Sequence, residues 1–335
     1  RLGRLLYNKF ISNLNAYLFF HVMKISILGG GSWGTALAVH LAKKNHTITM
    51  WEFFQEQAQK MHQDRFCPLL PDAKLPENIS VYSNMEPVLS DSELILVVVP
   101  SDKVESTMEK AKPFLKNQPI IVCSKGFANN TQLLSDVMKQ YSSEVYCLYG
   151  PTHAEEVCKG LFSGIVLAGS EGKEKIKDIF ETDTFKVDLS DDLVGVQVCA
   201  ALKNILAVFI GVLDGMGLGD NAKAFVMTKG LQEIQQVGIE WGALPETFLG
   251  LAGMGDVIVT CTSQHSRNRF AGQEVGKGNL LDDVLKGMAM VAEGVTTAQC
   301  VPELVKRFNV NIPLLQGLYD ILFTQKNPEQ VLREL

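Results

Sequence analysis

The chain has 335 residues, 46% hydrophobic and 20% charged, the composition of an ordered globular protein rather than a disordered one. That length exceeds the usual single core and predicts two domains. A net charge of −6 argues against a nucleic-acid binder, and seven scattered cysteines without a C-x-x-C pair point to reduced thiols in a cytoplasmic protein. The six histidines show no metal-ligand spacing, so no metal site is expected; His40, His46 and His62 read as surface residues of helices or loops.

In chain order, residues 1–22 carry three Lys or Arg and no acid, and they read as an extension that the fold does not need, with a basic targeting or membrane-touching segment as the competing reading. Their apolar part is too short and interrupted to span a bilayer. A strand is predicted over residues 25–28. It stops at Gly29, and Gly29, Gly31 and Gly34 then fit G-x-G-x-x-G, followed at once by an amphipathic helix over 35–44. Strand, glycine turn and helix is the context in which this spacing has a mechanism. The first glycine allows the tight turn, the second lets backbone approach a pyrophosphate, and the third lets helix and strand pack closely. The phosphates then meet the free N–H groups of the helix start.

The next strand, 47–51, ends at Glu52, about 20 residues past the glycines, where a carboxylate would meet the adenosine ribose hydroxyls, although a solvated strand-end glutamate fits equally well. That residue favours NAD over NADP, whose 2′-phosphate would meet like charge. Continuous apolar runs at 93–99, 119–123 and 145–149 fit parallel strands covered on both faces. Late strands are expected at 164–168 and 185–189. Loops at the carboxyl ends of such strands build the ligand crevice, which places Lys125 and Thr152 where chemistry would be. Thr152 to Glu155 has the spacing of a capping box, with Thr152 at the N-cap.

From about residue 191 onward only helices are predicted. The expected fold is therefore a Rossmann-type doubly wound α/β sheet over 23–190 followed by an all-helical domain over 191–335. The run 194–213 approaches membrane-span hydropathy, but Lys203 and Asn204 mid-run, without flanking charged anchors, argue for a buried core helix and against a membrane span.

Lys203 is the leading candidate for chemistry. Lysine is rarely buried unless paired, and burial lowers its pKa towards the range useful for acid–base work. The competing reading is a lysine whose head reaches solvent at the domain edge. Asp256 sits in a glycine-rich bend, 250–256, before the apolar run 257–259; it could pair with Lys203 or simply cap a turn. Ser266-Arg-Asn-Arg269 precedes a helix predicted over 270–275, where a guanidinium beside free N–H groups suits a phosphate, although an exposed basic turn fits as well.

Taken together, GGGSWGTALA (29–38), VVVPS, SKG (124–126), GPTHAEE (150–156), ALKN (201–204), GLAGMGDVIVTCTS (250–263), SRNR (266–269) and AEG (292–294) give the chain from Met23 onward a strong resemblance to the soluble, bacterial-type NAD(P)-dependent glycerol-3-phosphate dehydrogenases. The resemblance implies hydride transfer between NAD(P)H and the C2 carbonyl of dihydroxyacetone phosphate, giving sn-glycerol 3-phosphate for glycerophospholipid synthesis. It makes Lys203 the acid–base, with Lys125 and Asp256 as its catalytic companions. It places Gly150, Thr152, Asn204, Thr260, Ser266, Arg267 and Asn268 around the substrate. Ser32, Trp33, Ala154, Arg267 and Glu293 fall beside the cofactor. His153 departs from the aromatic or small residue expected there, and Glu52 departs from the dual-cofactor pattern. The apolar helical domain is compatible with a homodimer. Two rivals stay open: another phosphosugar or hydroxyacid dehydrogenase with a helical second domain, and a non-catalytic NAD-sensing protein. A membrane-bound quinone-linked dehydrogenase would need a flavin and a span.

Overall fold

The computed structural model describes residues 22–263, 266–288 and 292–335. All but Val22 of the expected extension lies outside the described residues. Among the described residues ten strands lie between residues 24 and 190: β1 (Lys24–Leu28), β2 (Thr47–Trp51), β3 (Phe66–Cys67), β4 (Leu70–Lys74), β5 (Ile79–Tyr82), β6 (Leu94–Val97), β7 (Ile120–Val122), β8 (Val145–Tyr149), β9 (Ser163–Gly169) and β10 (Phe185–Ser190). Eight of them form one sheet in the order β10-β9-β8-β7-β6-β1-β2-β5, parallel throughout except at the β8–β9 pair. The order reverses direction between β1 and β6, which opens a crevice at the carboxyl ends of the strands.

Sequence periodicity found the continuously apolar strands, even β7 with three residues, and missed β3, β4 and β5. The β3–β4 hairpin contains Pro68 and Pro71, which remove ladder donors, and β5 is an edge strand with every second residue only half-buried. The first helix, α1 (Ser32–Ala42), is not amphipathic as expected. Thr35 through Ala42 are buried all round, because the helix packs on the sheet with one face and on the Ala154–Lys159 helix, α2, with another. His40 and His46 are accordingly buried, not superficial. His40 Nε2 lies 2.6 Å from the Phe180 carbonyl, and burial pushes its pKa down to about 4. His62 alone of the three is exposed.

Beyond Ser190 the described residues contain helices and turns only. The core is α3 (Leu193–Gly215), buried along nearly its whole length. It is long and apolar enough to cross a membrane, yet 89% of its apolar window is covered by protein. Asp192 caps it, accepting from the Gly195 N–H at 2.7 Å, and the same carboxylate accepts from Leu244 N–H and the Thr247 hydroxyl at 2.8 and 2.6 Å. That buried carboxylate ties the helix start to the turn after α4 (Asp220–Glu240).

Around α3 pack α5 (Asp256–Thr262), α6 (Arg267–Gly276) and α7 (Glu293–Ala298). The α3–α6 crossing is backbone on backbone. A Cβ added at Gly272 would lie 1.9 Å from the Val208 carbonyl, and one at Gly211 2.0 Å from the Arg269 carbonyl. Only glycine permits this approach, and it brings the start of α6 to the level of Lys203 and Asn204.

Candidate active site

The glycine turn is built as its spacing predicts. Gly29 has φ +127°, and a Cβ there would meet the Val98 carbonyl at 2.7 Å; at Gly34 it would meet the Gly29 carbonyl at 2.0 Å. At Gly31, by contrast, a Cβ would meet nothing within 4 Å. The turn is thus closed behind and open in front, where the α1 N-terminus presents Ser32 and Trp33. The Trp33 Nε1–H is buried and has no partner in the protein. An open cradle, a helix N-terminus and an unpaired donor fit the pyrophosphate and amide groups of a dinucleotide.

Glu52 ends β2 beside this turn but faces inward. It is 6% exposed, and its carboxylate accepts the Phe54 N–H at 3.0 Å and also the Gly30 N–H. Burial pushes its pKa up, and these two donors pull it back.

The charged centre lies on α3, α5 and the loop after β7. Lys203 is 3% exposed and donates to Asp256 Oδ1 and, at 2.7 Å, to the Thr260 hydroxyl. Thr260 sits one helical turn beyond Asp256 on α5 and hydrogen-bonds back to it at 3.3 Å, closing a triangle. The second carboxylate oxygen, Oδ2, accepts from Lys125 Nζ at 3.2 Å. One fully buried aspartate therefore holds two ammonium groups, one on each oxygen. Burial pushes Lys203 down to about 7; the Asp256 charge opposes the shift and the Lys125 charge adds to it. The helix start at Asp256 follows a tight five-residue turn, Leu251–Gly255, made possible by its glycines.

The loop after β8 brings Gly150, Thr152 and His153 alongside. The expected capping box is absent. Helix α2 begins at Ala154, its N-cap is His153, and no side chain caps it. The Thr152 hydroxyl instead turns back to the Gly150 carbonyl at 3.3 Å, because the Thr152 N–H already bonds that carbonyl at 2.8 Å in a tight turn. Ala154 is buried at the helix start. His153 is half-buried, with Nε2 3.4 Å from the Val259 carbonyl, and burial lowers its pKa.

Helix α6 starts at Arg267, three residues before the predicted start, with Ser266 as N-cap accepting the Arg269 N–H at 3.3 Å. Asn268 Nδ2 donates to Asn204 Oδ1 at 3.0 Å, and Asn268 Oδ1 accepts the Gly294 N–H at 2.9 Å, linking α6, α3 and α7. Asn204 Nδ2 is buried without a partner. Arg267 is exposed at the helix start, and its charge acts on Glu293. Burial pushes Glu293 up, while Arg267, Lys125 and Lys203 pull it down. The fold thus gathers into one cationic crevice Lys125, Lys203, Arg267 and an unsatisfied amide, with Asp256 and Glu293 as counter-charges.

One member of the neighbourhood has no sequence signal. Thr131 closes the loop that carries Lys125, at φ +51° and 2% exposed. A β-branched residue in the left-handed region costs on the order of 1–3 kcal/mol.

Comparison with known proteins now decides the family. Residues 24–175 match the family described as NAD-dependent glycerol-3-phosphate dehydrogenase N-terminus, and residues 192–333 match its C-terminus. The chain belongs to the NAD-dependent glycerol-3-phosphate dehydrogenase family. It is 41% identical over 318 residues to the glycerol-3-phosphate dehydrogenase [NAD(P)+] of Thermoanaerobacter sp., covering 93% of this chain and 96% of that one. It is 39% identical over 321 residues to the enzyme of the same name from Oceanobacillus iheyensis, covering 93% of each. The crystal structure of glycerol-3-phosphate dehydrogenase from Coxiella burnetii superposes with a TM-score of 0.90 at 32% identity, over 93% of this chain and 98% of that one. The mixed sheet with a helical C-terminal domain is the architecture of these neighbours.

Proposed function

We infer that the chain is an NAD(P)-dependent oxidoreductase that interconverts dihydroxyacetone phosphate and sn-glycerol 3-phosphate, with Lys203 as its proton carrier. The observation that carries the residue assignment is the pair of ammonium groups on one buried carboxylate, Lys203 and Lys125 on Asp256. When bound, the nicotinamide cofactor supplies or accepts the hydride at C2. Its pyrophosphate fits the cradle of Gly29, Gly31 and Gly34, with Ser32 and Trp33 at the helix start and Ala154, Arg267 and Glu293 further along the crevice.

The residues do the rest. Reduction places negative charge on the C2 oxygen, and a proton must reach it. Lys203, with its pKa lowered to about 7, is divided between its acid and base forms near neutral pH. The ammonium gives its proton to the oxygen in reduction; the amine removes it in oxidation. Asp256 and Thr260 fix the Nζ atom, so that little reorganisation is needed. The Lys125 charge stabilises the developing alkoxide, an effect that a dry site magnifies. Arg267, exposed at the start of α6 with Ser266 and Asn268 beside it, holds the phosphate. This non-reacting group supplies binding energy that fixes C2 in place. The unpaired Asn204 Nδ2 supplies a donor to substrate oxygen, and Gly150 and Thr152 line the opposite wall.

The assay is NADH oxidation by the purified protein with dihydroxyacetone phosphate. Turnover with an unphosphorylated ketone of the same size, and none with dihydroxyacetone phosphate, would overturn the reading. We further propose a division near residue 190 into a dinucleotide-binding unit (23–190) and a substrate-binding unit (191–335), with the crevice between them. We also propose a homodimer, resting on the apolar helical half, and a cytoplasmic setting, which the seven free thiols, six of them buried, support. NADH is favoured over NADPH, since the Glu52 carboxylate borders the cofactor turn. Its inward hydrogen bonds imply that it acts through charge and through the shape of the turn. Equal kcat/KM values for the two cofactors would remove that preference.

A further inference from the structure

The loop that carries Lys125 leaves the sheet at β7 and is anchored there by its first residue. The Ser124 hydroxyl donates to the Val97 and Val99 carbonyls at 3.2 and 2.5 Å, and the Tyr149 hydroxyl donates to the Ser124 carbonyl at 2.6 Å. Its far end is held by the helical half. Ala128 and Gln132 pair across the loop, with the Ala128 N–H on the Gln132 carbonyl at 2.9 Å. Between them Asn130 and Thr131 both stand at positive φ, +54° and +51°. The Thr131 hydroxyl donates to Glu303 at 2.6 Å, and the Thr131 carbonyl accepts from Arg307 at 2.9 Å. Both partners lie on the Val301–Phe308 helix. The Arg307 guanidinium lies beside two adjoining rings, 4.7 Å from Trp241 and 4.9 Å from Phe308, whose centroids are 4.8 Å apart. Trp241 stacks on Phe127, two residues after Lys125, with centroids 5.5 Å apart.

We infer that Thr131, Glu303 and Arg307 form a strut through which the helical half sets the position of Lys125, so that Thr131 is a positioning residue for proton transfer. The inference rests on the reading of Lys125 and Lys203 given above. A β-branched residue holds an unfavourable backbone conformation only where its surroundings over-determine it, and here a buried hydroxyl and a carbonyl are both claimed by one helix. The Lys125 side chain takes its position from the same half, through Asp256. Lys125 therefore belongs to the sheet by sequence and to the helical half by contact. Lys203 is faced by Asp256 and Thr260 of α5, by Lys125, and at longer range by His153, Glu293, Cys199 and Cys261. Of these, only Lys125 is connected to the strut by its own loop.

Thr131→Gly separates positioning from folding, because glycine adopts the native φ without strain and lacks the hydroxyl. Thr131→Val removes the hydroxyl and keeps the branch; Thr131→Ser keeps the hydroxyl. We expect Thr131→Gly to stay folded, because relieved backbone strain offsets part of the lost hydroxyl contact, yet to lower kcat for dihydroxyacetone phosphate reduction about tenfold or more, as a displaced catalytic group would. KM for NADH should stay within about twofold, a change too small to displace a cofactor contact. Thr131→Val should share the kcat loss, and Thr131→Ser should restore it. Withdrawal of the Lys125 charge should also move the alkaline limb of the reduction profile to higher pH. Independently of turnover, Lys125 should react faster with an amine-acylating reagent in Thr131→Gly than in wild type, measured by mass spectrometry. Unchanged Lys125 labelling overturns the strut whether or not the protein reduces dihydroxyacetone phosphate. Faster labelling together with unchanged kcat and pH limb overturns the positioning role alone. A wild type inactive on dihydroxyacetone phosphate overturns the functional reading and leaves the labelling result to decide the strut.

Discussion

The glycine turn before α1 and the charged centre around Lys203 are built on opposite principles. The turn contains no ionised side chain of its own. It offers backbone N–H groups, a helix N-terminus and empty space in front of Gly31, and it keeps its shape because Gly29 and Gly34 pack against backbone carbonyls. The Lys203 centre is made of buried charge, with two ammonium groups sharing Asp256 and an arginine at the rim. The first is chiefly a matter of steric fit and backbone donors, with only the Glu52 carboxylate at its border, and should respond little to pH near neutrality. The second is a matter of protonation and should respond to it.

The largest test of that contrast is Lys203→Ala. Loss of a positioned acid–base costs about 10²–10⁴-fold in turnover. NADH binding, measured by fluorescence, should be retained, because the turn lies elsewhere. Near-normal turnover in the folded variant would show that another group carries the proton. Gly34→Ala should do the reverse, abolishing NADH binding first. Its Cβ would stand 2.0 Å from the Gly29 carbonyl, and relieving such a clash costs typically about 1–3 kcal/mol and opens the turn.

Arg267→Ala should raise KM for dihydroxyacetone phosphate by roughly 10- to 10²-fold, from the loss of about 1.5–3 kcal/mol in charged hydrogen bonding. The smaller effect on NADH should be visible in the same steady-state data. If the substrate dependence is unchanged, the phosphate site lies elsewhere.

The smallest effect is the pH response of wild type. Reduction needs protonated Lys203, so kcat should fall as pH rises through about 7; oxidation needs the amine and should rise over the same interval. The dissociation constant for NADH should stay flat across it. A reduction rate that climbs from pH 6 to 8 would contradict the assignment of Lys203 as the acid.

The parts legible in sequence were those that local rules govern. The α/β alternation, the long buried strands, the glycine turn and the anomaly of a lysine inside an apolar helix all follow from periodicity and residue chemistry within short windows. The same rules erred where coverage from elsewhere overrode them. Helix α1 reads as amphipathic but is enclosed by the sheet and α2, and this enclosure also buries His40. A Thr-x-x-Glu spacing reads as a capping box, but the Thr152 N–H and hydroxyl are both spent on a turn at Gly150. At Glu52 position suggested an outward carboxylate, and the fold turned it onto the backbone of Gly30 and Phe54.

By itself, then, the sequence determined that a dinucleotide-type turn opens the fold, that a sheet gives way to helices near residue 190, and that a lysine, Lys203, stands inside an otherwise apolar helix. It did so because glycine spacing and hydrophobic period are properties of contiguous residues. Only the tertiary structure decided that Asp256 serves two lysines at once, that Asn204 and Trp33 each keep an unpaired donor, and that the Lys125 loop is fastened to Glu303 and Arg307 more than 170 residues away. Those facts depend on which surfaces exclude water from which charges, and desolvation is a property of the packed whole.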